Sequence, residues 1–213
     1  MQHYRILSAL LTYPEPELLA AVPELDAALA HLPRMRGQLD PLFAHLLGHD
    51  LIELQQTYVQ TFDRTPSHSL HLFEHIHGES RDRGQAMVDL MEEYKKHGLF
   101  MTDDELPDYV PLFLEFLSQL PDEEAAGRLL GDAVHVLAHI GTKLAANGSV
   151  YACVFDVLQG LSPVAPETLT EPPVKDMDEA LETFGPGADG VEPLLKPQPQ
   201  GPQPINFYPR RAA

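Results

Sequence analysis

The chain has 213 residues, 44% of them apolar, with 14 Lys and Arg against 32 Asp and Glu for a formal net charge of −18. That apolar share is enough for one hydrophobic core, and the length suits one domain with a tail. So negative a field repels nucleic acid and anionic membrane and favours basic partners, which sets a nucleic-acid-binding role aside.

The lone Cys153 can make neither an intramolecular disulfide nor a cysteine-rich metal site, so a reducing compartment, the cytoplasm, is expected. Near the start, an apolar stretch from Ile6 to Leu11 is cut off by "PEPE" at 14–17. A secretory core would run longer and end in small residues, so this stretch reads as a helix. No apolar run approaches the ~20 residues that cross a bilayer, and direct membrane insertion is not expected.

In chain order, helical periodicity marks 3–13, 15–31, 39–47 and 51–63. Stepping 100° per residue over 69–77 places Leu70, Leu72, Phe73, Ile76 and His77 on one arc, with His71, Glu74, His75 and the preceding His68 on the other. Gly78 breaks that run, and Met87, Leu90, Met91 and Tyr94 then recur at helical spacing. Thr102, three residues before Glu105, has the spacing of a capping box ahead of an almost wholly apolar helix over 106–120. Pro111 requires that its helix begin close by. A long helix with acids at its start follows, stops at Asn147–Gly148, and buries Leu130, Ala133, Val134, Leu137, Ile140 and Leu144. Ser149 is placed to cap one more helix, running to Leu161. There is no convincing alternating strand and no internal repeat.

Proline divides the chain, with nine in 1–162 and eleven in the last 51 residues. The expected architecture is therefore an all-α helical bundle over 1–162 and a Pro/Gly-rich, largely disordered tail over 163–213.

Chemistry concentrates in "SLHLFEHIHGESRDRGQAMVDL" at 69–90. His71 and His75, with Glu74 or Glu79, have the spacing of two metal ligands on one helix. However, Leu72 stands where a zinc protease places its glutamate, and His135 and His139 repeat the spacing in a chain of 11 histidines. A solvated or hydrogen-bonded face is the expectation, with no resident metal or other cofactor. Ser69, Ser80 and Cys153 lack a glycine elbow, and no glycine-rich phosphate loop follows a strand, so an enzyme is not expected. Arg81 and Arg83 are expected to pair locally, with Asp82, Glu79 or Asp63.

Three stretches carry a resemblance: "YVQTFDR" at 58–64, the 69–90 segment above, and "ELPDYVPLFLEFL" at 105–117. They resemble the NarJ-type chaperones, the delta subunit of respiratory nitrate reductase, over most of 1–162, and "PINFYPR" near the end is similar as well. The resemblance implies a cytoplasmic, all-helical chaperone absent from the finished enzyme. It would bind the N-terminal leader of the apo catalytic (alpha) subunit, keep it competent for molybdenum cofactor insertion, and delay membrane docking. Cofactor delivery proteins are possible further partners. The related chaperones of trimethylamine-oxide reductase carry E-P-x-D-H in the corresponding region. Here the residues read "SHSLHLFEH", so the nucleotide contacts of that subgroup do not transfer.

A basic amphipathic leader calls for a helix-in-groove site with an acidic rim. Tyr58, Phe62, Leu70, Phe73 and Tyr109 are the expected anchors, Asp63, Glu74 and Glu79 the expected rim. His71 and His75, beside Glu74, would add pH sensitivity.

Overall fold

The computed structural model describes residues 1–78, 80–101 and 105–169. Among them lie nine α-helices and no strand: α1 (Gln2–Leu10), α2 (Pro16–Ala28), α3 (Pro33–Gly48), α4 (Leu51–Tyr58), α5 (Glu74–His77), α6 (Arg81–Lys96), α7 (Val110–Gln119), α8 (Glu123–Ala146) and α9 (Ala152–Leu161). The all-α expectation holds.

Local chemistry sets the helix ends. Asp50 and Glu53 form a reciprocal capping box on α4, and Asp122 accepts the Ala125 N–H at 2.7 Å to open α8. Pro16, Pro33 and Pro111 occupy first turns, where a missing N–H costs nothing. Gly148, at φ +68°, supplies the left-handed residue beyond α8.

Helix α3 begins at Pro33, six residues before the expected start, and runs straight through Pro41. A proline there denies the Gly37 carbonyl its helical donor. Buried Met35, Leu39, Leu42, Phe43 and Leu46 nonetheless tie both sides of that proline to the core.

Tertiary packing centres on α8 against α9 and α1 against α7, with α3 covering α9. All six residues of the expected α8 stripe are fully buried. At Gly141 the two helices meet so closely that a Cβ would stand 2.7 Å from the Phe155 Cβ. Phe155 is itself fully buried, along with Phe113 of α7.

Four expectations need correction. Only 74–77 of the 69–77 segment is helical, because the residues before it pair with 108–110 instead. Ser149 does not cap α9; its carbonyl accepts the Ala152 N–H in a preceding turn, and Tyr151 adjoins the helix. Helix α7 starts at Val110, leaving Leu106 at 44% exposure rather than in the core. Residues 163–169, assigned to the tail, pack along α8: Pro163 and Val164 lie over Gly127 and Gly131, and the Glu167 N–H donates to His135 Nδ1 at 2.8 Å.

Thr102 of the expected capping box, and 170–213 of the expected tail, fall outside the described residues. No helix among the described residues is long and apolar enough to cross a membrane.

Candidate partner-binding site

The site is built where α4 ends. The helix widens into a π-turn over Val59–Asp63, in which the Arg64 N–H reaches back five residues to the Val59 carbonyl at 3.0 Å. Such turns recur at functional positions because the extra residue re-aims its neighbours. Here Phe62 turns inward, its ring 4.8 Å from Tyr58 and 4.9 Å from Tyr151. The Tyr58 hydroxyl donates to the Leu11 carbonyl at 2.9 Å and lies 3.3 Å from the Tyr109 hydroxyl. Asp63, by contrast, is exposed.

His68 fastens the next turn. The Asn147 amide donates to its Nε2 at 2.7 Å, so Nδ1 carries the proton and donates to the Thr61 carbonyl at 2.9 Å. A neutral, buried histidine with both nitrogens used is a structural one.

Beyond it, 70–73 and 108–110 form a polar clamp. The Leu72 N–H donates to the Asp108 carbonyl at 3.0 Å, and the Val110 N–H to the Leu70 carbonyl at 2.8 Å, around an antiparallel bridge between His71 and Tyr109. Asp108 is fully buried. Its carboxylate accepts the Phe73 N–H at 3.0 Å and His71 Nδ1–H at 3.3 Å. A buried carboxylate without such donors would be strongly unfavourable, so these contacts hold two remote segments together. Tyr94 braces the same loop by donating to the Pro107 carbonyl at 2.7 Å.

The two central histidines titrate in opposite directions. The hydrogen bond to Asp108 raises His71 above the ordinary imidazole value, against desolvation. Burial lowers His75, whose Nε2–H donates to the Ser69 carbonyl at 2.8 Å and whose ring lies 5.6 Å from that of His139. Burial also raises the Tyr109 hydroxyl, with help from the nearby Glu105 and Asp63 charges.

The expected site residues thus separate by depth. Tyr58, Phe62, Leu70, Phe73 and His75 are buried in the chain's own core and form the floor. His71, Glu74 and Tyr109 are half-buried, and Asp63 is exposed. Glu79 lies outside the described residues. The division of 69–77 into an apolar and a polar face fails, because His68 and His75 are as buried as the apolar residues. Arg83 pairs with Glu74 at 2.9 Å, an acid not among those expected from the sequence.

The residue that sequence reasoning missed is Asp108. Its signal was an acid between Pro107 and Pro111 in an otherwise apolar stretch, a place where a solvated carboxylate has no business unless it is bonded.

Other chemistries find little support in the geometry. His71 and His75 do not share a helix, and each is bonded elsewhere. Among the described residues, no group of three or more His, Cys, Asp or Glu is arranged to hold a metal. Burial pushes the Cys153 thiol up to about 11, away from thiolate reactivity.

Two grooves mark the surface. One, of about 760 Å³, lies on the outer face of α4 and the π-turn, between Tyr13, Gln55, Gln60 and Arg64. The other, of about 280 Å³, lies between α6 and α7, lined by Leu99, Phe100, Met101, Leu112 and Phe116.

Fold and site together define an all-helical protein with half-buried Tyr109 and exposed Asp63 and Glu105 over a core locked by buried polar contacts. Residues 15–155 match the family model described as nitrate reductase delta subunit, and the chain belongs to that family. It is 43% identical over 164 residues to the nitrate reductase molybdenum cofactor assembly chaperone NarJ of Escherichia coli K12, covering 75% of this chain and 69% of that one. The probable chaperone NarW of the same organism is 44% identical over 162 residues, 76% and 68% of the two chains. A probable NarJ of Bacillus subtilis is 31% identical over 157 residues, 73% and 85% of the two chains.

Proposed function

We propose that this chain is an assembly chaperone for a respiratory nitrate reductase. On this reading it works in the cytoplasm and binds the N-terminal segment of the apo catalytic (alpha) subunit. It keeps that subunit open to molybdenum cofactor insertion, with cofactor delivery proteins as further partners, and releases it before the complex docks at the membrane. Family membership and the names of the relatives support the chaperone role.

The observation that carries the client site is the acidic edge around Tyr109. Exposed Asp63 and Glu105 act on the half-buried Tyr109 hydroxyl, and Glu74, paired with Arg83, acts on His71, whose ring lies 5.5 Å from that of Tyr109, in a chain of net charge −18. A leader helix with basic residues beside an apolar face meets opposite charge there, and an aromatic that can accept its apolar side. Asp63, His71, Glu74 and Tyr109 are the members that a client touches, with Glu79 assigned to the same rim. Tyr58, Phe62, Leu70, Phe73 and His75 act from beneath, fixing the ring and the carboxylates in place. His71 couples the edge to pH: its protonation reduces the local negative potential and weakens the hold on a basic segment.

Co-purification of the full chain with the apo catalytic subunit, with and without the first helix of that subunit, tests the reading. Capture that needs the first helix is expected. Equal capture without it would overturn the leader as the recognised element.

A further inference from the structure

Beyond α9 the chain forms a strap that returns along α8, and its attachments are few and distinct. Ser162 Oγ donates to the Val164 carbonyl at 2.9 Å and accepts the Val164 N–H at 3.1 Å, which turns the chain off the end of α9. Pro163 and Val164 then lie over Gly127 and Gly131, where a Cβ on Gly131 would stand 3.2 Å from Val164 Cγ2. Farther along, the Glu167 N–H donates to His135 Nδ1 at 2.8 Å, and Leu169 is buried. Between the turn and Leu169, residues 163–168 are exposed. Pro163 and Pro166 restrict the strap's backbone, so less chain entropy opposes its docking and a few contacts can hold it.

The contact to His135 is one that a proton can break. For Nδ1 to accept a hydrogen bond, the imidazole must be neutral with its hydrogen on Nε2. A second proton would enter at Nδ1, in the line of the Glu167 N–H, and two donors would then face each other. Protonation and docking therefore exclude one another at this bond. The charged and titratable groups around His135 are Asp132 and His139, about one turn to either side on α8, and Glu93 of α6, which acts on Asp132. The strap itself carries the Glu167 carboxylate. The three acids favour a charged imidazole and His139 opposes it.

We propose that 163–169 is an acid-released latch, closed on α8 while His135 is neutral and lifted when His135 takes a proton. Histidine is the side chain suited to such a change near neutral pH. Opening bares the strip at Gly127 and Gly131 and the seat of Leu169, which the closed strap covers. The latch shares no residue with the acidic edge around Tyr109, so it does not depend on the client reading.

Hydrogen exchange of the full chain, resolved amide by amide, tests the latch without any client present. Each rate is taken relative to an unstructured chain at the same pH. Protection of the Glu167 amide should fall about tenfold between about pH 8 and about pH 5.5, the change that one net hydrogen bond supports. The Leu137 and Ile140 amides within α8 should keep theirs. His135→Asn offers Oδ1 as an acceptor in place of Nδ1 and does not titrate, so its Glu167 amide should stay protected across the range. His135→Ala should leave that amide poorly protected at every pH. Wild-type protection that is the same at both ends of the range would overturn the proposal. So would a His135→Asn profile that falls as the wild type does, or protection in His135→Ala equal to that of the wild type. Loss of protection in α8 together with the strap would mean global unfolding, and no latch.

Discussion

The α8–α9 pair and the clamp between 70–73 and 108–110 hold the same molecule together by opposite means. The helix pair is joined by apolar side chains and by the close approach at Gly141, with every member near its neighbours on a regular repeat. The clamp is joined by a buried carboxylate, two backbone hydrogen bonds and a histidine, between segments 35 or more residues apart. The first arrangement loses stability by degrees as volume is added or removed. The second fails as a unit, because each polar group is satisfied only by the others. Stability and site geometry therefore rest on different chemistry, and the two can be disturbed separately.

Phe155→Ala is the strongest way to test the apolar half. It empties a fully buried ring position between α8 and α9 and should cost about 3–5 kcal/mol in denaturant unfolding. The clamp is tested by Asp108→Ala, which strands the Phe73 N–H and the His71 ring and should cost about 2–3 kcal/mol. If Asp108→Ala left both stability and Tyr109 fluorescence unchanged, the clamp would not be holding the site. Gly141→Ala pushes a methyl group into Phe155 and should cost about 1–3 kcal/mol by forcing the helices apart, with client binding spared in the variant that remains folded.

The histidines separate the regions by pH. His71 is raised in the folded chain, so its contribution is full below the ordinary value of 6.5 and is lost as pH rises through the higher folded value. His75 is lowered, so its environment stabilises the fold above 6.5 and that stability is lost as pH falls toward the lower folded value. Unfolding midpoints across this range should therefore change in opposite senses: His71→Gln flattens the alkaline decline, and His75→Gln flattens the acid one. Identical profiles for the two variants would contradict the assignment. Smallest of all, Arg83→Ala should cost no more than ~1 kcal/mol, since its pair with Glu74 is partly exposed.

The same contrast explains what could be read from the sequence. Helical periodicity found α8 and its stripe, and Pro111 correctly marked the start of a helix, because those signals are local. The segment 69–77 misled for the complementary reason. Its residues have a respectable helical pattern, but Leu72 and Phe73 give their N–H groups to Asp108, a partner no window around residue 70 contains. Burial of His68 and His75 was hidden likewise, since imidazoles enter a core only when bonded, here to Thr61, Asn147 and Ser69. For the residues expected to meet a client, depth was not legible in the sequence. Aromatic residues look alike whether they line a groove or hold up its floor, and only the fold shows Tyr58 and Phe62 buried and Tyr109 half-buried.

The account stands most directly on calorimetry of the full chain with a peptide of the N-terminal segment of the nitrate reductase catalytic subunit. A scrambled peptide of equal charge serves as the comparison. Stoichiometric binding of the native order, weakened at least about tenfold by scrambling and by Tyr109→Ala with Asp63→Asn, is the predicted result. Equal affinity for both peptides, or affinity untouched by those substitutions, would contradict it.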